Sequence, residues 1–346
     1  MTTKWSFIGH ISNYLSRPRL GDKKKPTQWP SEASTTIVNE WGDEEVVGKC
    51  KRAAFFRLLL DNYAFSPHYE SFQPLVDHIK KNLLPPDPYL QWIWKMGEMY
   101  EDYCVDLAKS SGVYIDGQVQ LYIPNINLSG KTDLILVNPE TQKLQIDEIK
   151  SVYGFGANIV LGTPSARKKG SLGKPRGSNL MQIGLYQWWY ANPRVEFGPA
   201  LLTYGARDTG RNAEYEITVT KNDDDGYHYI HYQGIYPNIT EKVNSGLCIE
   251  KIIETYKYVA NSVDSGIIPE RDFDLLYDET KIALLYERKL LSKKDSTQYE
   301  KRTAQIQEGK TRLVKKVEKG DWQCSHCQYK NVCYESDGSP ASLAGM

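Results

Sequence analysis

Apolar residues recur at helical spacing from Lys51 to Tyr63 (KRAAFFRLLLDNY), again from about Ser71 to Asn82, and over a longer stretch from about Tyr89 to Ser110. Pro85, Pro86 and Pro88 separate the second stretch from the third. The period then changes. Val119 to Ile126, Thr132 to Val137 and Lys143 to Ser151 predict strands, the last two joined by a turn from Asn138 to Gln142. A helix is predicted from about Asn179 to Ala191, stopped by Pro193, followed by strands at Ala200 to Tyr204, Tyr215 to Thr220 and Tyr227 to Tyr232. Asp223-Asp224-Asp225-Gly226 reads as a hairpin turn with a solvated face, and 248–262 and 280–318 read as helices. Residues 1–45, rich in Lys, Pro, Ser and Thr, predict an extended opening segment, residues 46–334 a single domain, and 335–346 a frayed tail.

Composition narrows the classes. Hydrophobic residues make up 40% of the 346, enough for a sizeable core, and no apolar run approaches the roughly 18 to 20 residues of a membrane span. No membrane partner is expected. Lys+Arg and Asp+Glu number 43 each, so any nucleic-acid site must be a local basic surface. One such surface is the glycine-punctuated stretch from Gly162 to Gly177, which carries Arg167, Lys168, Lys169, Lys174 and Arg176 and no acidic residue. Its plain reading is a solvated loop; its functional reading is a phosphate-backbone contact. Six cysteines, without the charged and apolar pattern of a secretory leader, favour a reducing, cytoplasmic setting over a disulfide framework.

Cys324, Cys327 and Cys333 form a C-x2-C-x5-C triplet, with Cys50 far upstream as a fourth thiolate. This spacing suits a metal or cluster, either iron-sulfur or a structural Zn2+, and His326 allows a three-Cys, one-His variant. Cys104 and Cys248 have no partner at ligand spacing and read as small apolar residues.

The polar chemistry lies in the middle of the chain. Gly130-Lys131-Thr132-Asp133 opens one predicted strand and Ile146-Asp147-Glu148-Ile149-Lys150 closes the next. Residues two apart on a strand share a face, so Glu148 and Lys150 project together and Asp147 and Ile149 oppositely. In an antiparallel pair Asp133 then meets Glu148, and two carboxylates beside a lysine call for a compensating divalent cation. Gln182 and Tyr186, four apart, share a helix face, and Glu101 lies on the long helix upstream.

Glu101, G-x-x-D ending at Asp133, E-x-K from Glu148 to Lys150 and Q-x-x-x-Y from Gln182 to Tyr186 resemble the ordered motifs of PD-(D/E)xK nucleases of the RecB-like type. One cysteine before these motifs and a C-x2-C-x5-C triplet after them resemble the iron-sulfur members, including the CRISPR-associated RecB-like family and the AddB nuclease domain. Cys50-Lys51-Arg52 resembles their C-x-R opening. The sequence departs from many members at Glu101, where they carry histidine, and at Asn179, where some do.

The resemblance implies an α/β restriction-endonuclease-like core, a central mixed sheet flanked by helices with a helical cap at a 4Fe-4S cluster on Cys50, Cys324, Cys327 and Cys333. It implies Mg2+ or Mn2+ on Glu101, Asp133, Glu148 and the Ile149 carbonyl, with Lys150, Gln182 and Tyr186 completing the catalytic set. The implied activity is metal-dependent exonuclease action on single-stranded DNA or DNA ends in recombination, repair or phage DNA processing, with recombination proteins as partners. A non-catalytic DNA-binding or adaptor protein that keeps the fold, and an endonuclease of the same superfamily, are the alternatives.

Overall fold

A computed structural model describes residues 27–62, 69–190, 196–335 and 338–343. The first part of the opening segment, the predicted helix ends at Tyr63 and Ala191, and Pro193 lie outside them. In chain order the elements are β1 (Ser34–Val38), β2 (Glu44–Gly48), α1 (Lys51–Asn62), α2 (Tyr69–Asn82), α3 (Pro88–Ser111), β3 (Tyr114–Ile123), β4 (Leu128–Val137) and β5 (Leu144–Val152). Then follow α4 (Gly154–Leu161), α5 (Pro164–Lys168), α6 (Gly177–Tyr190), β6 (Ala200–Ala206), β7 (Asn212–Lys221), β8 (His228–Tyr236) and β9 (Val243–Cys248). The chain closes with α7 (Ile249–Ser265), α8 (Glu279–Glu287), α9 (Lys293–Gln307), α10 (Trp322–Ser325) and α11 (Lys330–Cys333).

The chain divides into two compact units, one formed by 1–68 with 85–269 and the other by 69–84 with 270–346. The first holds a seven-stranded sheet in the order β3-β4-β5-β6-β7-β8-β9, every neighbour antiparallel except β5 and β6. A parallel pair cannot be joined by a hairpin, and the crossover from β5 to β6 runs through α4, α5 and α6. That crossover lays α6 against the sheet. Leu180, Met181, Ile183 and Leu185 of α6 are buried with Ile146, Leu202, Tyr204, Tyr215 and Ile217 of the sheet, and Ile249, Ile252 and Tyr256 of α7 extend the same core. On the other face, Leu134 and Ile149 pack with Ala108, Tyr100 and Cys104 of α3. Helices therefore flank a mixed sheet, as expected.

The long helix α3 is set by its ends. The Asp87 side chain accepts from the Tyr89 N–H at 2.9 Å, Pro88 fills the first turn, and Gly112 closes the helix in the left-handed region (φ 78°). Asn138 fixes the turn between β4 and β5 by accepting the Glu140 and Thr141 N–H groups at 2.9 and 3.1 Å. Between β7 and β8, Asp225 accepts from the Tyr229 hydroxyl at 2.8 Å, so the acidic run there is a turn.

Four differences from the sequence reading have physical causes. The later part of the opening segment is a β1–β2 hairpin, anchored where the Arg57 guanidinium grips both Glu32 oxygens at 2.6 Å. The stretch 280–318 is two helices and then irregular chain, because Lys289 turns left-handed (φ 58°), Ser292 caps a new start on Asp295 N–H at 3.2 Å, and Gly309 (φ 68°) ends it. Strand β9, with polar Asn244 and Ser245 and a left-handed Gly246 (φ 73°), gave no alternation to read. The tail does not simply fray: Ala341 N–H returns to the Cys333 carbonyl at 2.9 Å, and Arg271 donates to the carbonyls of Cys333 (3.1 Å) and Ala341 (2.9 Å).

Candidate active site

The antiparallel ladder between β4 and β5 pairs Leu134 with Asp147 and stops there. One step further Asp133 and Glu148 would be the next pair, but the ladder has ended and the strands part. The freed N–H of Ile149 is taken up by the Asp133 carboxylate, whose Oδ2 accepts it at 2.7 Å. Asp133 thus keeps its strand end in place while presenting a carboxylate at the opening.

Glu148 is 1% exposed. Its Oε1 accepts from the Lys150 ammonium and, at 2.6 Å, from the Gln182 amide of α6. Its Oε2 is buried and has no hydrogen-bond partner. The alternation expected from the sequence holds, since Asp147 points to the opposite face, where its Oδ2 accepts from the Thr203 hydroxyl at 3.1 Å. Gln182 also donates to the Tyr186 hydroxyl at 3.4 Å, which donates in turn to the Lys131 carbonyl at 3.0 Å. This chain of bonds ties α6 to β4 beside Asp133.

Gly130 owes its place to crowding. A Cβ there would lie 2.6 Å from Pro30 Cγ and 2.9 Å from the Tyr186 hydroxyl. Gly130→Ala is therefore expected to push Tyr186 off the Lys131 carbonyl and to lower the melting temperature by several degrees, corresponding to about 1–3 kcal/mol of overpacking. Thermal denaturation followed by circular dichroism checks this, and an unchanged melting curve would show that the site absorbs the methyl.

Glu101 reaches the same centre from α3. Burial, the Asp133 charge and other neighbours push its carboxyl up to about 7, despite the opposing pull of Lys150 and the bond from Gln118. Burial, with Asp133 and Glu101 nearby, also raises Glu148 against the pull of Lys150. Lys150 stands above its ordinary value although burial works against its charge, because Glu148, Asp133 and Glu101 surround it. Three carboxylates thus share one ammonium. Fully ionised, the group carries excess negative charge in a buried place, a state that needs a further cation.

One contributor escaped the sequence reading. Gln118 lies across from Asp133 at a gap in the β3–β4 ladder, between the pairs Gly117–Leu134 and Val119–Thr132. Its backbone is left-handed (φ 54°), and its amide donates to Glu101 Oε1 at 2.5 Å. Asp116-Gly117 was the available signal of a strand interruption.

Asn179 accepts from the Tyr204 hydroxyl at 2.9 Å, and that hydroxyl also accepts from Arg176 N–H at 3.2 Å, so Asn179 braces the start of α6. The basic stretch is not all loop. Thr163 caps α5 by accepting Ala166 N–H at 3.2 Å, and Arg167 turns inward to donate to the Asn212 carbonyl at 3.0 Å. Lys168, Lys169, Lys174 and Arg176 are exposed.

Among the described residues no three His, Cys, Asp or Glu side chains form a ready-made metal cage. Asp133 is held by Ile149, Glu148 by Lys150 and Gln182, and Glu101 by Gln118. The carboxylate donors nevertheless suit a hard divalent cation, and Glu148 Oε2 is an acceptor in need of a partner. In the second unit, Cys324 and Cys333 are buried and Cys327 half-buried. Cys327 N–H donates to the Cys324 carbonyl at 3.2 Å and Cys333 N–H to the Tyr329 carbonyl at 3.1 Å, which folds the triplet into a tight knuckle. In the first unit, Cys50 precedes α1 and Arg52 donates to the Pro269 carbonyl at 2.6 Å. Cys248 is buried, and Cys104 packs beside Tyr100. Among the described residues no helix is long and apolar enough to cross a membrane. Comparison of the chain with protein-family models, curated proteins and solved structures found no match.

Proposed function

We propose that this chain is a divalent-metal-dependent deoxyribonuclease of the PD-(D/E)xK superfamily, of RecB-like type, acting on single-stranded DNA or DNA ends. The observation that carries the reading is the buried, unpartnered Glu148 Oε2 in a group where Glu101, Asp133 and Glu148 crowd Lys150. A binding module has no use for buried carboxylates that repel phosphate; a hydrolytic centre does.

Asp133, Glu148 and Glu101 would hold Mg2+ or Mn2+, with the Ile149 carbonyl as a further ligand. Bound there, the cation supplies Lewis acidity at the scissile phosphate. Lys150 neutralises charge that builds on the phosphoryl oxygens and orients the attacking water. Gln182 fixes the Glu148 carboxylate, and Tyr186 links the Gln182 amide to the strand that carries Asp133. The deciding experiment incubates anaerobically purified protein with end-labelled linear and circular DNA, single- and double-stranded, with Mg2+, Mn2+ or EDTA. Degradation of linear strands alone, lost in EDTA, is expected. Cleavage of circles would make the protein an endonuclease, and no cleavage with either metal would defeat the reading.

The exposed lysines after α4 are read as phosphate-binding groups. Replacing Lys168, Lys169 and Lys174 by glutamine is expected to weaken DNA binding alike for all sequences. The slope of log affinity against log salt should flatten by about 0.7 to 0.9 for each phosphate no longer neutralised. An unchanged slope would return these lysines to the solvated surface.

A further inference from the structure

We infer that Tyr153 and Phe155, at the end of the strand that carries Glu148 and Lys150, form a stacking platform for the bases of an unpaired nucleic-acid strand. The inference rests on the nuclease reading and adds the substrate's form: a strand whose bases are free to stack. Tyr153, Phe155 and Ile159 are 60, 81 and 47% exposed. Phe155 is the one exposed phenylalanine among the described residues; Phe55, Phe56, Phe72 and Phe273 are buried and Phe197 is half-buried. Nothing in the packing of α4 requires an aromatic ring there, because Ala157, Val160 and Leu161 already bury its inner face.

The surroundings select the occupant. From Gly154 to Gly177 the chain carries five basic and no acidic side chains. The Arg176 guanidinium lies so close over Gly156 that a Cβ there would sit 2.5 Å from it, which places a cation on the helix one residue from Phe155. The Arg207 guanidinium stands 5.8 Å from the Tyr153 ring centre and donates to the Ser151 hydroxyl at 3.2 Å. The nearby Asp208 carboxylate is taken up by the Gly154 N–H at 3.0 Å. Rings interleaved with cations match a strand of alternating bases and phosphates. Another exposed apolar row, Trp92, Met96, Met99 and Tyr103 on α3, is bordered by Glu98, Asp102 and Asp106, with Lys95 paired to Glu98 at 2.8 Å, and its net charge disfavours phosphate.

Reach agrees with this assignment. Extended chain rises about 3.3 Å per residue, so Tyr153 follows Lys150 by about 10 Å. That equals about three stacked nucleotides at 3.4 Å each. Three residues on, Tyr153 projects from the face of β5 opposite Lys150, so a strand seated on the rings would pass round the end of β5 to bring a phosphate to the carboxylate group.

The test is binding of a fluorescent single-stranded oligonucleotide and of an abasic strand of equal length, both in EDTA so that hydrolysis plays no part. Phe155→Ala and Tyr153→Ala are each expected to weaken binding of the base-bearing strand about tenfold. Binding of the abasic strand should be unchanged, as should the salt dependence, and Phe155→Trp should restore the wild-type value. Equal affinity of wild type and both alanine variants for the base-bearing strand overturns the platform, as do equal losses on the abasic strand or no binding at all. Absence of metal-dependent cleavage would defeat the nuclease reading and leave this binding result standing.

Discussion

Glu148→Gln is expected to reduce phosphodiester hydrolysis by about a thousandfold or more, equivalent to about 4 kcal/mol of transition-state stabilisation, while the protein melts at the same or a higher temperature. The two effects have one cause. Glu148 is buried, carries an unpartnered oxygen and crowds Asp133 and Glu101, so its charge is unfavourable until a cation arrives. A group whose carboxyl is raised on folding binds protons more tightly in the folded state. In EDTA, wild-type stability should therefore fall as pH rises from the ordinary carboxylate range towards the raised folded value, and the Gln variant should lack that fall. Lys150→Ala should behave oppositely, losing activity and also stability, because it strips the ammonium from three carboxylates. Added Mg2+ should then raise its melting temperature more than that of the wild type. A folded Glu148→Gln protein with near wild-type nuclease activity would remove Glu148 from the centre.

Much of this centre was legible because it lies on regular elements. Period-two alternation put Glu148 and Lys150 on one face and four-residue spacing put Gln182 and Tyr186 together, as their hydrogen bonds show; hairpin geometry put Asp133 opposite Glu148, but the ladder ends one pair short of them and Asp133 is bonded to the Ile149 N–H. Contributors that depend on broken periodicity were not legible. Gln118 acts from a left-handed position at a strand interruption, where no pattern assigns a direction to a side chain. Arg167 looked like its basic neighbours in the sequence, yet the bond to the Asn212 carbonyl turns it inward. Such a contact spans distant parts of the chain and leaves no local trace. The exposure of Phe155 was hidden for a similar reason, since an aromatic residue in a short apolar run reads as core until its neighbours are seen to fill the core without it.

The cysteine knuckle carries the other large expected effect. Its two helices, Trp322–Ser325 and Lys330–Cys333, are single turns of 4 residues each, too short to persist without tertiary support. Val332 and Tyr329 are buried, but the turns hold little else that is apolar and buried besides Cys324 and Cys333. We propose that the support is thiolate ligation, with Cys324, Cys327 and Cys333 among the ligands that the sequence resemblance assigns to a 4Fe-4S cluster. Protein purified without oxygen is then expected to be brown and to contain about four irons per chain. Cys324→Ser and Cys333→Ser should lose the colour and most of the soluble yield, because a ligand set that orders otherwise marginal chain contributes its binding free energy to folding. Cys50→Ala tests the fourth ligand by the same readings. Colourless protein with stoichiometric zinc would replace the cluster by a structural Zn2+ and keep the folding argument, whereas serine variants that fold and melt like the wild type would show that packing of Tyr329, Val332 and Tyr334 and the Arg271 hydrogen bonds hold the knuckle without ligation.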